Sequence, residues 1–481
     1  MLEKKRYAPI IAGNYADPSI IRVGEDYYMT HSSYKLTPGL VIWHSRDLLN
    51  WSRVGAALPH YEGNVWAPDF VAHNGMYYIY YPAGRTNWVV TASSPAGPWS
   101  KPINLGIKGI DPGHTAGPDR KRYLHMSGGD FVELTADGLA VAGEVRHVYN
   151  GWRYPDDWVV EAYSLEGPKI TVHDGYYYLT AAVGGTAGPP TSHMAVSSRS
   201  RTPWGPWEHS PYNPIIHTES RDERWWSKGH ASLIDTPDGQ WWMVYHAYAN
   251  GFHSLGRQTL LEPIEWTSDG WFRAAGGRER LIDQYDDRPH DEGETNAGNQ
   301  GASFRDSFDG PELGLHWQCE GVEPSARFRP GNHELVAEAA SEEAKASPLL
   351  YMAGHKRYSA EVEIIVEGPA EGRLLLYYND AAYLGMGVNE HGVRHFRSFK
   401  GYGTMQNHTR RAFLRLVNDA HIVSFYYSFD GVEWIRYDKV ADVSGFHHNT
   451  FGGFQSLRIG LDAVGKGTVI FRDFSYNAIS N

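Results

Sequence analysis

At 481 residues the chain exceeds what one hydrophobic core usually supports, so two domains are expected. A formal net charge of −12 with no basic run interleaved with aromatics excludes nucleic acid as a partner, and no apolar run approaches the roughly 20 residues of a membrane helix. A single cysteine, Cys319, rules out an intramolecular disulfide and reads as a small core residue, while 17 Trp, 31 Tyr and 52 Gly suit an all-β protein with rings available to stack on sugar faces.

The chain opens on the charged segment Met1-Leu2-Glu3-Lys4-Lys5-Arg6, with no apolar stretch behind it, and a cytoplasmic protein is expected. One phrase then recurs five times: a polar turn, a knot of aromatics and an alternating strand. The copies are Glu25-Asp26-Tyr27-Tyr28, Asn74-Gly75-Met76-Tyr77-Tyr78, Asp119 to Tyr123, Asp174-Gly175-Tyr176-Tyr177-Tyr178 and Asp238-Gly239-Gln240-Trp241-Trp242. Their aromatics are spaced 50, 46, 54 and 64 residues apart. Asn-Gly and Asp-Gly supply the positive φ of two-residue hairpin loops. A period near 50 residues with strand chemistry in each unit predicts a five-bladed β-propeller. A second phrase, a turn closed by tryptophan, alternates with the first at Trp51, Trp99, Trp207 and Trp271.

After Tyr285 the composition turns acidic and polar through Asp286-Asp287-Arg288-Pro289-His290-Asp291-Glu292-Gly293-Glu294, which buries little. The expected division is a catalytic propeller over 1–285, a linker over 286–302 and a β-sandwich over 303–481. Alternating segments such as Tyr358 to Ile364 and Val469 to Phe474 carry the sandwich reading.

A propeller has one natural site, the mouth of its axial channel, where the first strands of all blades converge. Candidate groups should stand at the start of a blade and lie far apart in sequence. Asp17 in Ala16-Asp17-Pro18, Asp111 in Ile110-Asp111-Pro112 and Glu166 in Glu166-Gly167-Pro168 satisfy this. Proline fixes φ and biases its predecessor toward extended backbone, which would hold each carboxylate stiffly. Asp69, in Trp66-Ala67-Pro68-Asp69, and Glu161 compete for the role, and a turn-capping acid is the plain alternative at each position. Two or three carboxylates beside aromatics suit glycosidic bond cleavage: one acid donates a proton to the leaving oxygen, a second carboxylate attacks or activates water, and a third charge raises the acid's pKa.

On these residues the first region resembles glycoside hydrolase family 43. The motifs that carry the resemblance are Ala16-Asp17-Pro18-Ser19-Ile20, Pro38-Gly39, His44-Ser45, Asp47-Leu48 with Trp51, Trp66-Ala67-Pro68-Asp69, Ile110-Asp111-Pro112, Glu166-Gly167-Pro168, Gly184-Gly185-Thr186, Gly229-His230-Ala231 and Gly256-Arg257. The region from Phe308-Asp309-Gly310 through Trp317 is similar to the concanavalin-like jelly roll of the β-xylosidase branch. The resemblance implies an inverting enzyme with Asp17 as general base, Glu166 as general acid and Asp111 as the residue that tunes the acid. It further implies Arg257, Tyr34, Trp66 and His193 as sugar-pocket residues and an aromatic lent by the sandwich from Asn449 to Phe454, with Phe451 the expected donor. His230 would hold a structural calcium ion through one nitrogen and waters. The pattern departs from the usual xylosidase at Tyr15-Ala16, at Gly113 and at Gln258, which changes the pocket rim. The expected substrate is a xylo- or arabino-oligosaccharide, cleaved from its non-reducing end by a β-xylosidase, with arabinofuranosidase activity alongside it or in its place. A sugar-binding propeller without catalysis is the reading from another class, and it predicts loss of at least one of the three carboxylates.

Overall fold

The computed structural model describes residues 8–275, 303–340, 347–398, 400–406 by backbone alone, and 409–479; the expected linker over 286–302 lies outside them. The first region forms five four-stranded antiparallel meanders. Blade 1 comprises Ser19–Val23, Asp26–Thr30, Gly39–Ser45 and Ser52–Leu58, and blade 2 comprises Asp69–His73, Met76–Ala83, Thr86–Ala92 and Ile103–Asn104. Blade 3 is built from Gly113–Ala116, Arg122–Met126, Asp130–Leu134 and Arg146–His147. Blade 4 is built from Glu166–His173, Tyr176–Val183, Met194–Ser200 and Glu208–His209, with Ile216–His217 beside its third strand. Blade 5 uses Trp225–Asp235, Trp241–Ala249, Arg257–Trp266 and Phe272–Ala274. Each first strand contacts the first strands of the blades on either side, so the inner strands close a ring. Backbone hydrogen bonds between Ile10, Ile11 and Thr259 lay the start of the chain along the third strand of blade 5.

Loop chemistry accounts for the repeat. Asn74-Gly75 (φ 50° and 76°) joins His73 to Met76, and Asp174-Gly175 (φ 45° and 71°) joins His173 to Tyr176, as two-residue turns. Asp238-Gly239 instead lies in a five-residue loop between Asp235 and Trp241, closed by Thr236 Oγ1, which donates to the Gln240 carbonyl at 3.1 Å. Trp51, Trp99, Trp207 and Trp271 all stand between the third and fourth strands of their blades, and blade 3 has no counterpart.

The second region is a sandwich of two eight-stranded sheets around a core that includes Trp317, Phe328, Tyr358, Phe425, Phe471 and Phe474. Cys319 is buried in that core, and burial pushes its thiol pKa up, which suits a packing residue. One connection was not visible in the sequence. Leu36–Thr37, between the second and third strands of blade 1, pairs with Trp317–Glu320 and becomes an edge strand of one sandwich sheet. Leu36 is buried there with Leu350, Leu375, Tyr377, Tyr383 and Phe396. Gln318 Nε2 donates to the Pro38 carbonyl at 2.7 Å, and the Leu457 N–H donates to the Ser254 carbonyl at 2.8 Å, so the sandwich grips blades 1 and 5 through backbone groups.

Candidate active site

Asp17 and Asp111 immediately precede the first strands of blades 1 and 3, and Glu166 opens the first strand of blade 4. Their backbones depart from expectation. Proline should press its predecessor toward extended geometry, yet Asp17 and Asp111 have φ of 59° and 54°. Asp tolerates this left-handed region better than most residues, and such backbone concentrates at functional sites. At Glu166 the strand bulges between Glu166 and Lys169, with Gly167 at φ 60°. A Cβ on Gly167 would stand 2.9 Å from the His230 ring, so the glycine lets the strand approach the axis.

The three carboxylates have unlike surroundings. Asp17 is buried, and its Oδ1 lies 3.1 Å from Arg257 Nη1, 3.1 Å from His246 Nδ1 and 3.4 Å from His230 Nδ1. Its Oδ2 accepts from Ser32 Oγ at 2.5 Å. Burial alone would raise its pKa; the Arg257 charge, then His230 and His246, outweigh burial and hold it well below the usual range. Asp111 is also buried, and its Oδ2 accepts from Ser127 Oγ and from the Gly167 N–H, each at 3.0 Å. Burial and the Asp17 charge push Asp111 up to about 6. Glu166 keeps 23% of its side chain exposed. Burial of the rest, then the charges of Asp111 and Asp17, move it well above the ordinary carboxylate value. These surroundings favour the ionised form at the deeper Asp17 and the protonated form at the more exposed Glu166.

Arg257 links further expected residues. Its Nη1 donates to Asp17 at 3.1 Å and its Nη2 donates to the Tyr34 hydroxyl. Tyr34 is buried, and burial raises its pKa, so it remains a neutral phenol. His193 is fully buried 4.0 Å from Glu166 Oε1 and stacks on His246 with centroids 5.2 Å apart. Burial, then His246, depresses its pKa, and neither ring nitrogen has a protein partner. Trp66 follows Val65, which bridges Tyr34, and is 37% exposed, as a ring facing solvent would be.

The two competitors have other partners, although the Glu161 charge still reaches Glu166. Asp69 Oδ1 pairs with Lys169 Nζ at 2.9 Å and its Oδ2 accepts from the His114 N–H at 2.7 Å, a satisfied buried ion pair that ties blades 2, 3 and 4. Glu161 stands in the loop before blade 4, where its Oε2 accepts from the Ala187 N–H at 3.0 Å. The sandwich offers two rings here. Phe451 ends a four-residue helix, His448–Phe451, and packs against Tyr378 and Phe446 within the sandwich. Phe454, three residues on, places its ring 4.9 Å from the Arg257 guanidinium. Sequence reasoning also missed His246, Ser32 and Ser127, which no local motif marks.

His230 is the expected metal ligand. It is buried with φ 53°, and its Nε2 has no protein partner. Among the described residues no three His, Cys, Asp or Glu side chains cluster to hold an ion. A cation here would have a single protein ligand and otherwise water, which fits calcium's preference for oxygen only if water supplies it.

A sequence profile for glycosyl hydrolases family 43 matches residues 7–272, and one for the β-xylosidase C-terminal concanavalin A-like domain matches residues 305–477. A non-reducing end α-L-arabinofuranosidase of Bacteroides ovatus is 34% identical over 333 residues, covering 64% of this chain and 60% of that protein's length. A xylan 1,3-β-xylosidase of Vibrio sp is 29% identical over 499 residues, covering 89% of both chains. The crystal structure of a family 43 protein from Bacillus licheniformis superimposes with a TM-score of 0.83 at 27% identity, covering 98% of this chain and 99% of the other.

Proposed function

The chain belongs to glycosyl hydrolases family 43, and from that premise we propose that this glycoside hydrolase removes xylose from the non-reducing end of xylo-oligosaccharides with inversion at the anomeric carbon. The observation that carries the reading is the unlike setting of two carboxylates, Asp17 buried 3.1 Å from Arg257 Nη1 and Glu166 more exposed beside the Asp111 loop, which drives their acidities downward and upward respectively. Ionised Asp17 takes a proton from water, and that oxygen bonds to the anomeric carbon as the glycosidic bond breaks. Protonated Glu166 gives its proton to the departing oxygen, and Asp111 keeps that proton in place by its charge. Arg257 and Tyr34 steady the base, while Trp66, His193 and Phe454 bound the sugar. Solvent then returns the two carboxyl groups to their starting states.

A hydrated calcium ion at His230 Nε2 is part of the proposal, supported by that atom's lack of a protein partner. Such an ion would balance charge beneath Asp17. The test is thermal unfolding with calcium and with chelator: calcium should stabilise the parent and leave a His230→Ala protein unchanged.

A second reading, a dedicated α-L-arabinofuranosidase, is favoured by the Bacteroides ovatus relative. Comparison of kcat/KM on p-nitrophenyl β-D-xylopyranoside and p-nitrophenyl α-L-arabinofuranoside decides between them. The mechanism is tested with Asp17→Ala and Glu166→Ala on xylobiose, where kcat should fall by several orders of magnitude, the Glu166 variant recovering on p-nitrophenyl leaving groups. Parental turnover by both variants would sink the enzyme reading, and an NMR spectrum showing the released xylose first as the β-anomer would sink inversion.

A further inference from the structure

Asn14 lies three residues before Asp17, is buried, and joins three parts of the molecule. Its Oδ1 accepts from the Arg257 N–H at 3.0 Å, at the start of the third strand of blade 5. Its Nδ2 donates to the Phe454 carbonyl at 2.9 Å, in the sandwich. Its own N–H faces the sandwich residue Met352, 3.3 Å from the sulfur. The fit is tight on both sides: a Cβ on Gly256 would stand 2.4 Å from Asn14 Oδ1, and one on Gly13 would stand 2.5 Å from Met352 Cγ.

From the sandwich side, Phe454 is held in turn by His448. The two rings stack with centroids 3.6 Å apart, and the Phe454 N–H donates to His448 Nδ1 at 3.0 Å. Gly452 and Gly453, at φ 69° and 84°, turn the chain after the short helix so that Phe454, at φ 53°, faces Arg257. Arg257 is thus held at its backbone by Asn14 and covered on its guanidinium face by Phe454, while its Nη atoms hold Asp17 and Tyr34.

We propose that Asn14 is a positioning residue for the reaction, transmitting the seating of the sandwich to Arg257 and through it to the Asp17 carboxylate. The proposal rests on Asp17 being the general base. Small displacements of such groups cost rate steeply, about 100-fold for a misplacement near 1 Å.

The test compares parent, Asn14→Ala, His448→Ala and Asp17→Ala proteins on p-nitrophenyl β-D-xylopyranoside, measuring kcat and KM separately. Asn14→Ala and His448→Ala are expected to lose tenfold or more in kcat with a smaller change in KM. A folded Asn14→Ala protein with parental kcat, or one in which KM changes more than kcat, overturns the proposal. Should Asn14→Ala fail to fold, the same result for His448→Ala, whose side chain lies wholly on the sandwich, overturns it. Parental kcat in Asp17→Ala would instead overturn the assignment of the base.

Discussion

Replacing Asp111 by Asn removes the charge of a buried carboxylate and nearly preserves its shape. Asp111 Oδ2 accepts from Ser127 Oγ and from the Gly167 N–H, and an amide oxygen in its place keeps both bonds. What changes is the cost of ionisation. Burial, then the Asp17 charge, moves the Asp111 pKa from 3.8 to about 6. The native state therefore holds a proton that the unfolded chain has released across this window. The stability contributed is present below about pH 4, is lost as pH rises toward 6, and stays lost above it. At about 1.4 kcal/mol per unit, a shift of about two units corresponds to roughly 3 kcal/mol. Glu166 titrates together with Asp111, so the pair shares this cost and the net gain on substitution is about 1–3 kcal/mol. Urea unfolding followed by tryptophan fluorescence should find Asp111→Asn more stable than the parent by that amount near pH 7.5, with the difference shrinking toward zero near pH 4. The same variant should lose on the order of 100-fold or more in kcat, because it can no longer hold the Glu166 proton by its charge. Equal stability differences at the two pH values, or a variant less stable than the parent near pH 7.5, would refute the argument that ionised Asp111 is held against its own preference.

The alkaline limb of kcat/KM should follow Glu166, and in Asp111→Asn it should lie at lower pH than in the parent, since the repulsive charge that raises Glu166 is gone. Lys169→Met should destabilise the propeller by about 3–5 kcal/mol in thermal or urea unfolding, because Asp69 would stay buried without its cation. Phe454→Ala should lower kcat at least tenfold, as expected for His448→Ala, and raise KM for xylobiose severalfold, while Phe451→Ala leaves both near parental, a contrast that steady-state kinetics resolves and that follows from which ring covers Arg257.

The propeller was legible because its turns are local. Asn74-Gly75 and Asp174-Gly175 fix two-residue hairpins whatever surrounds them, and five such phrases at similar spacing leave few other folds. The three carboxylates were legible for a related reason: ring topology sends the start of each first strand to one axis. What decides between those acids and Asp69 was not legible. Asp69 also neighbours a proline at the start of a blade, with Pro68 before it instead of after, but is neutralised by Lys169, which lies 100 positions away and one blade beyond the next. His246 meets the Asp17 backbone across 229 positions, through ring closure that no sequence period encodes. The choice between Phe451 and Phe454 depends on where a short helix ends in a Gly-rich segment, and two positive-φ glycines turn the second phenylalanine toward Arg257 while the first stays half-exposed beside Tyr378 and Phe446. The strand Leu36–Thr37 was hidden because two residues show no alternation; its partner belongs to the other domain.

The site is graded from one end to the other, and the grading matches what a single displacement requires. Asp17 has 7% of its side chain exposed and sits among Arg257, two imidazoles and the Ser32 hydroxyl; Glu166 has 23% exposed and, among the described residues, no Lys or Arg in ion-pair contact. A base that must stay ionised gains from fixed cationic and hydrogen-bonding neighbours, and Arg257, held by Asn14 and covered by Phe454, supplies the cation. An acid that must keep its proton gains from having none of them, and one that serves a departing alcohol must lie where that alcohol can leave. The two demands cannot be met at the same depth. Burying the base beside Arg257 and leaving the acid more exposed meets both, and the sandwich enters that arrangement through the Phe454 ring, 4.9 Å from the Arg257 guanidinium.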